Sequence, residues 1–327
     1  MDNNSKNLEK SFTTSAINWY PGHMAKTKRM LEQNIKLVDA VVEVVDARIP
    51  HSSKNPYLNQ LWQRRPRVVV MNKADLADPT ATALWKQWYE RRGYGVVILD
   101  ALHGKGVKEI PARVSEVCRE RRQKQQAKGI VRPLRMMVTG IPNVGKSTII
   151  NQLAGRAGAA KTGNKPGVTK GKQWIKVNGS NLELLDTPGI LWPKFEDPEV
   201  GLKIAFIGSI NDEILELYTL ACELLRHMQE HYPQALQDRF KVTEGELTLE
   251  PAALLEAIGR HRGHLRSGGV VDVERTAKVV MDEYRSGKLG RLTLEWPPKE
   301  RTEANAGSTQ ESGAKDTAGK ICGHESL

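Results

Sequence analysis

"LRMMVTGIPNVGKST" runs from Leu134 to Thr148. Its first half is an apolar run of strand length. Its second half carries the spacing G-x-x-x-x-G-K-[ST] from Gly140 to Ser147. A strand that feeds such a loop and then a helix makes a cradle for phosphate. Glycines let successive backbone N–H groups close around phosphate oxygens, and Asn143, Val144 and Gly145 form the turn itself. Lys146 is expected to reach the β- and γ-phosphates, and Ser147 to offer its hydroxyl to Mg²⁺. The helix that opens at Thr148 turns its positive end toward the anion. More than a hundred residues precede this loop, so it opens in the middle of the chain.

Upstream of it lie three further apolar, Val-rich runs: "DAVVEVVDAR" (39–48), "RVVVMNKAD" (67–75) and "YGVVILDA" (94–101). Downstream, "KQWIKV" (172–177) alternates like an edge strand and "LELLDTPG" (182–189) reads as a sixth strand. Helical stretches such as "TATALWKQWYERRG", stopped by Gly93, lie between them. Continuous apolar strands that alternate with helices predict a doubly wound, mostly parallel α/β sheet. Beyond Pro193 the pattern turns helical. Asp197-Pro198 reads as a helix start. Ile214, Leu217, Tyr218, Ala221, Leu224, Leu225 and Met228 share one helical face. "EPAALLEAIGR" and "DVERTAKVVMDEYRSGK" give two more helices. The expected organisation is a flexible N-terminus (1–16), a nucleotide-binding α/β domain (17–195), a small all-helical domain (196–297) and a disordered tail (298–327).

The 327-residue chain has a formal charge of +11. Residues 119–135 hold seven Lys/Arg against one acid, and residues 156–176 hold six with none. Such runs point to a polyanionic partner, RNA or DNA. No apolar run has membrane-spanning length, and no basic amphipathic helix with aromatic anchors stands out, which argues against a membrane role. Cys118, Cys222 and Cys322 are far apart and form no metal spacing, as in a cytoplasmic protein.

Three motifs refine the phosphate loop. In "DTPG", Asp186 is expected to hold a Mg²⁺ water and the Gly189 amide to meet the γ-phosphate. A plain strand-to-turn junction would carry the same letters. Thr169 in "PGVTKG", 22 residues after Ser147, is placed to close over Mg²⁺ or to be an ordinary loop threonine. In "NKAD", the Asp75 carboxylate accepts two hydrogen bonds, which matches the N1–H and N2 amine of guanine and not adenine. Asn72 tethers that loop and the Lys73 stem lies along the base. These features specify GTP and GDP. The N-K-x-D motif precedes the phosphate loop, the reverse of the usual order. The first residues are therefore the second half of the nucleotide domain, carried in front.

This order, with "INWYPGHMAK" at 17–26, resembles the circularly permuted GTPase family, in particular its bacterial ribosome-biogenesis members. The likeness covers about residues 17–297. It implies a circularly permuted P-loop GTPase domain followed by a helical RNA-binding domain. It also implies a monomer that binds the immature large ribosomal subunit through rRNA, with ribosomal proteins as further contacts. Such a GTPase acts late in assembly, with hydrolysis driving release. A nucleotide-dependent checkpoint or scaffold on RNA, in which hydrolysis is incidental, is the alternative. By the same resemblance the Ala101 amide in "LDALHGKG" meets the guanine oxygen, although Asp100-Ala101 replaces the family's usual Ser-Ala. Asn143 either helps hold K⁺ or serves its own turn. Ile190 stands where many GTPases carry a water-orienting glutamine, so hydrolysis is expected to be slow alone and stimulated by the subunit. His23, on the Pro21-Gly22 turn, is read either as the group that positions or activates water or as a helix cap or RNA contact.

Overall fold

The computed structural model describes residues 29–62, 65–155, 174–187, 189, 191–192, 195–212 and 216–298. His23, Thr169, Ile190, Ile214, most of the basic run 156–176, the whole of 1–16 and nearly all of 298–327 lie outside them.

Six strands form one sheet: β1 (Ala40–Asp46), β2 (Arg67–Asn72), β3 (Gly95–Ile98), β4 (Leu134–Thr139), β5 (Trp174–Lys176) and β6 (Leu182–Asp186). Their order is β3-β2-β1-β4-β6-β5. All pairs are parallel except β5, which runs antiparallel to β6 at the edge, as its alternating sequence predicts. The decisive pairing is β1 with β4, in register from Ala40↔Met136 to Glu43↔Thr139. Three strands carried in front of the phosphate loop thus complete the sheet that the loop's own strand begins.

Helices cover both faces, which is why the strand sequences are continuously apolar. In chain order they are α1 (Pro56–Leu61), α2 (Pro79–Arg91), α3 (Glu109–Val117), α4 (Arg119–Gln126) and α5 (Lys146–Ala154). On one face Val45, Val69, Met71 and Val96 pack against Trp85 and Tyr89 of α2. The opposite-facing Val44, Val68, Val70 and Val97 belong to the core that holds Ile110 and Val114 of α3. Each such buried aliphatic side chain is worth roughly 1.5–3 kcal/mol relative to exposure. Asp78 caps α2 by accepting from the Ala81 amide at 2.8 Å, Pro79 sets the first turn, and Gly93 at φ 77° ends it. Glu43 is the polar exception on β1. It is buried with Lys54 Nζ at 3.6 Å, and burial raises its pKa against the pull of that lysine.

Beyond β6 come α6 (Pro198–Phe206), α7 (Leu217–His231), α8 (Pro233–Phe240), α9 (Pro251–His261) and α10 (Val273–Arg285). Asp197 caps α6, accepting from Glu199 N at 2.9 Å, and Asp272 caps α10. The buried face of α7 contains Leu220, Ala221, Leu224, Leu225 and Met228. Leu217 and Tyr218 are only half-buried and Leu220 is fully buried, so the face is centred later than the sequence pattern suggests. A 3.6-residue period leaves that offset undetermined until the helix has a neighbour.

After α10 the chain returns to the sheet as an extended strap. Leu292 N donates to Leu76 O at 3.0 Å and Leu294 N to Arg48 O at 2.9 Å. Trp85 Nε1 donates to Glu295 O at 2.9 Å. The Glu295 carboxylate accepts from the His51 amide, the Ser52 amide and the Ser52 hydroxyl. The chain through Pro297 forms one compact unit. Among the described residues, no helix is long and apolar enough to cross a membrane.

Candidate nucleotide site

The phosphate loop follows directly from β4 and ends at α5. Gly140 has φ 151° and Gly145 φ 96°, and Asn143 stands between them at φ 61°. A Cβ on Gly140 would come 2.4 Å from Val44 O, and one on Gly145 would come 2.2 Å from Asn72 Nδ2, so no other residue fits either place. Such a run of unusual backbone turns amides toward one concavity. Lys146, the first residue of α5, is buried, and its ammonium donates to Ile141 O at 2.6 Å, curled over the loop. Burial pulls its pKa down to about 8, with the Asp186 carboxylate acting in the opposite direction. A buried ammonium whose hydrogen-bond partner is a neutral carbonyl suits an incoming phosphate. Ser147 and Thr148 follow on the first turn of α5, half-buried.

The "DTPG" segment lies against this loop. Thr187 Oγ1 donates to Val138 O at 2.6 Å, tying the segment to β4. A Cβ on Gly189 would come 2.9 Å from Lys146 Nζ and 2.9 Å from Pro142 N. Gly189 and Lys146 are thus brought together. Hydroxyl and carboxylate donors, Ser147 and Asp186, are the chemistry that Mg²⁺ takes.

The "NKAD" turn stands beside the loop. Lys73 has φ 60°, and Leu76 N donates back to Lys73 O at 3.0 Å. Lys73 Nζ is 3.0 Å from Asp46 Oδ2, and Asp46 is gripped twice by Arg48, at 2.9 Å each. Burial alone would raise the Asp46 carboxyl; the charges of Arg48 and Lys73 outweigh it and hold it well below the usual carboxylate range. Asn72 joins three loops: its Nδ2 donates to Val144 O at 2.8 Å and its Oδ1 accepts from Ala101 N at 3.0 Å. Asp75 is exposed, and its carboxylate lies among Asp100 and His103, with ligand atoms within 4.8 Å of one another.

Three sequence expectations need correction. The Ala101 amide does not face outward for a guanine oxygen; Asn72 takes it, and Gln152 Nε2 holds the Ala101 carbonyl at 2.5 Å. Asn143 does more than shape its own turn: its Nδ2 donates to Gly208 O at 2.5 Å, while Ser209 Oγ donates to Pro142 O at 2.6 Å. The phosphate loop is therefore stitched to the residues that follow α6. Finally, several basic residues of the expected RNA footprint are committed internally. Arg121 and Arg132 bind the buried Asp39, and Arg135 pairs with Glu183. Burial would raise the Asp39 carboxyl, yet hydrogen bonds from Arg132, the Arg135 amide and Gln125 hold it below its ordinary value. Arg119, Arg122, Lys124 and Lys128 stay exposed, and α4 buries no residue at all.

Sequence reasoning missed Asp46, Arg48 and Gln152 as parts of this site. "DAR" at 46–48, a charged pair at the end of a Val-rich strand, was the available signal.

Comparison with known proteins agrees with this geometry. A family described as "50S ribosome-binding GTPase" matches residues 135–243. Ribosome biogenesis GTPase A of Bacillus cereus is 48% identical over 86% of this chain and 94% of its own length. The Thermotoga maritima protein of the same name is 31% identical over 86% and 95%. Mouse mitochondrial ribosome-associated GTPase 1 is 35% identical over 85% and 89%. A GDP-bound structure of YlqF from Thermotoga maritima superposes with a TM-score of 0.58 at 26% identity, covering 82% of this chain and 99% of that one. The reversed motif order, the parallel β1–β4 pairing that explains it, and identity of this extent lead to one assignment: the chain belongs to the ribosome biogenesis GTPase A family.

Proposed function

We propose that this protein is a GTP-hydrolysing assembly factor that binds the immature large ribosomal subunit late in its maturation and leaves when GTP is hydrolysed. One observation carries the reading. The phosphate loop and the helices after β6 are joined directly, by Asn143 to Gly208 and Ser209 to Pro142. The Asp186 segment leads from the end of β6 into α6. A change in how Asp186 and Gly189 sit against Lys146 would thus reach α6 within about ten residues of chain.

In this reading Lys146 and the loop amides of Asn143, Val144, Gly145, Ser147 and Thr148 bind phosphate. Asp75 reads the base, with Asn72 as brace and the Lys73 stem beside it. Ser147, Asp186 and Thr169 hold Mg²⁺. When bound, Mg²⁺ neutralises charge that develops on the phosphates. K⁺ beside Asn143 is part of the proposal, as are the domain boundaries at 17–195 and 196–297. The names of its relatives support a ribosomal partner, and the family description "50S ribosome-binding GTPase" supports the large subunit.

The exposed cations of α4 and of the turn after it offer an RNA contact at the point where the permuted halves are joined. Four phosphate contacts by Arg119, Arg122, Lys124 and Lys128 give a slope of log affinity against log salt of about −3. The surface pairs Arg260–Glu256 and Arg266–Asp272 are screened by water, so those arginines can exchange partners and steepen it. Co-sedimentation with isolated large subunits in rising KCl measures this. A flat response would mean that the partner is not met through phosphates. The same assay in GDP, GTP and a non-hydrolysable analogue, with multiple-turnover phosphate release alongside, tests the function. Subunit binding that ignores the nucleotide would overturn release by hydrolysis. Nucleotide-dependent binding with no stimulated turnover would favour the checkpoint alternative.

His23→Ala is expected to lower subunit-stimulated hydrolysis about 10²-fold, the low end for a positioned acid or base, with GTP and subunit binding near wild type. Single-turnover hydrolysis on saturating subunits checks it. A wild-type rate would remove His23 from the chemistry, and a collapse of subunit affinity would make it an RNA contact.

A further inference from the structure

The turn that carries Asp75 is held from behind by a segment more than two hundred residues away in sequence. Arg291 Nη2 donates to Ala74 O at 3.0 Å, and its Nε donates to Ala77 O at 3.0 Å. Leu292 N donates to Leu76 O at 3.0 Å. Thr293 Oγ1 accepts from Asp78 N at 3.0 Å. Three carbonyls and one amide flanking Asp75 are thus fixed by three consecutive residues. The strap itself is anchored: Leu292, Thr293, Leu294 and Glu295 are buried, and Tyr232 Oη bonds both the Thr293 carbonyl and amide. A Cβ on Gly287 would come 2.5 Å from the Leu76 side chain, so the end of α10 also abuts this turn.

Asp75 itself is exposed, and backbone bonds around it decide where its carboxylate points. A carboxylate that must meet two adjacent donors tolerates little freedom. Arg291 is exposed and its fork reaches both sides of the turn, which a single amine could not do. We propose that residues 290–295 are a clamp that holds the base-reading turn in register, with Arg291 as the positioning residue that sets guanine specificity. The proposal rests on Asp75 being the base reader. It also makes guanine affinity depend on how the C-terminal helices are seated, so a partner that pulls on them would loosen the nucleotide at its base.

The test compares GTP with ITP, which lacks the 2-amino group that Asp75 would accept from. In full-length Arg291→Ala, the preference for GTP over ITP should shrink about three- to tenfold. KM for GTP should rise while kcat changes less than twofold, and Arg291→Lys should restore only part of the preference. Asp75→Asn is the control and should lose the preference outright. If Asp75→Asn loses it and Arg291→Ala keeps it, the clamp proposal fails while the base site stands. If Asp75→Asn keeps it, Asp75 does not read the base and both fall. A purely structural role for Arg291 would lower the melting temperature and leave the GTP-to-ITP ratio unchanged, which also overturns the proposal.

Discussion

Lys146→Ala should lower kcat/KM for GTP by about 10³–10⁵ while leaving the melting temperature of the nucleotide-free protein close to wild type. Two losses combine. A hydrogen bond from a buried ammonium to an anionic phosphate is worth roughly 1.5–3 kcal/mol in binding. Removing a donor aimed at charge that grows in the transition state costs a further 10²–10³ in kcat. Little folding stability is at stake, because among the described residues the ammonium bonds a neutral loop carbonyl, Ile141 O, and sits in a place that burial makes uncomfortable for charge. Lys146→Arg should not rescue. The space beside Nζ is closed by Gly189 and Pro142, where even an added Cβ would be crowded at 2.9 Å. The shifted pKa adds a pH signature. With the free protein's lysine near 8, nucleotide binding above that pH must recruit a proton to make the ammonium. Affinity should therefore fall up to tenfold per pH unit above about pH 8 in the wild type and stay flat in Lys146→Ala. Titrations of GDP from pH 7 to 9.5 measure it; equal slopes in both proteins would show that Lys146 is not the titrating phosphate ligand.

The sheet was legible because its central strands β1, β2 and β4 are buried on both faces, and continuous burial writes itself into Val-rich runs such as "VVEVV". Capping is also local, so Asp197 and Gly93 could be read at sight. Motif order revealed the permutation, since N-K-x-D, phosphate loop and D-x-x-G must meet in space whatever their order in the chain. What could not be read is which polar group answers which. The cations of 119–135 look alike in sequence, yet Arg121 and Arg132 turn inward to Asp39 and Arg122 does not. The partner lies more than eighty residues away, and nothing local encodes the distance. Ala101 went wrong for a related reason. Its amide was available to a ligand in principle, but Asn72 Oδ1, 29 residues distant, takes it. The strap was visible only as "GRLTLEWP", a segment expected to close the ordered part, with nothing local to name what it covers.

Asp46→Asn should destabilise the fold by about 3–5 kcal/mol, the cost of leaving a buried charge without its partner. Asp46 is 0% exposed and Arg48 1%, so water can replace neither the carboxylate nor the guanidinium hydration. The contrast with the pair Lys86–Glu90 is instructive. Its side chains are 43% and 40% exposed at 3.9 Å, and Glu90→Gln should cost no more than about 0.5 kcal/mol. Asp46 matters beyond its own bond. Through Arg48, whose Nη1 donates to Tyr284 O at 3.3 Å, it ties the end of β1 to the last turn of α10. Through Lys73 it steadies the base-reading turn. The variant should therefore weaken guanine binding as well as stability, whereas Glu90→Gln should affect neither. The pH dependence follows from the sign of the shift. A carboxyl whose folded pKa lies well below its usual 3.8 binds fewer protons folded than unfolded, so its contribution is complete above about pH 5. It is lost as pH falls below about 4 toward the folded value. Asp39, also held low, adds in the same sense, while Glu43, pushed up by burial, opposes both. Denaturant melts from pH 7 down to pH 3 should show wild type losing its advantage over Asp46→Asn across the last two units. A difference that stays constant over that range would mean that Asp46 is not ionised in the fold, and the buried network would need another source of negative charge.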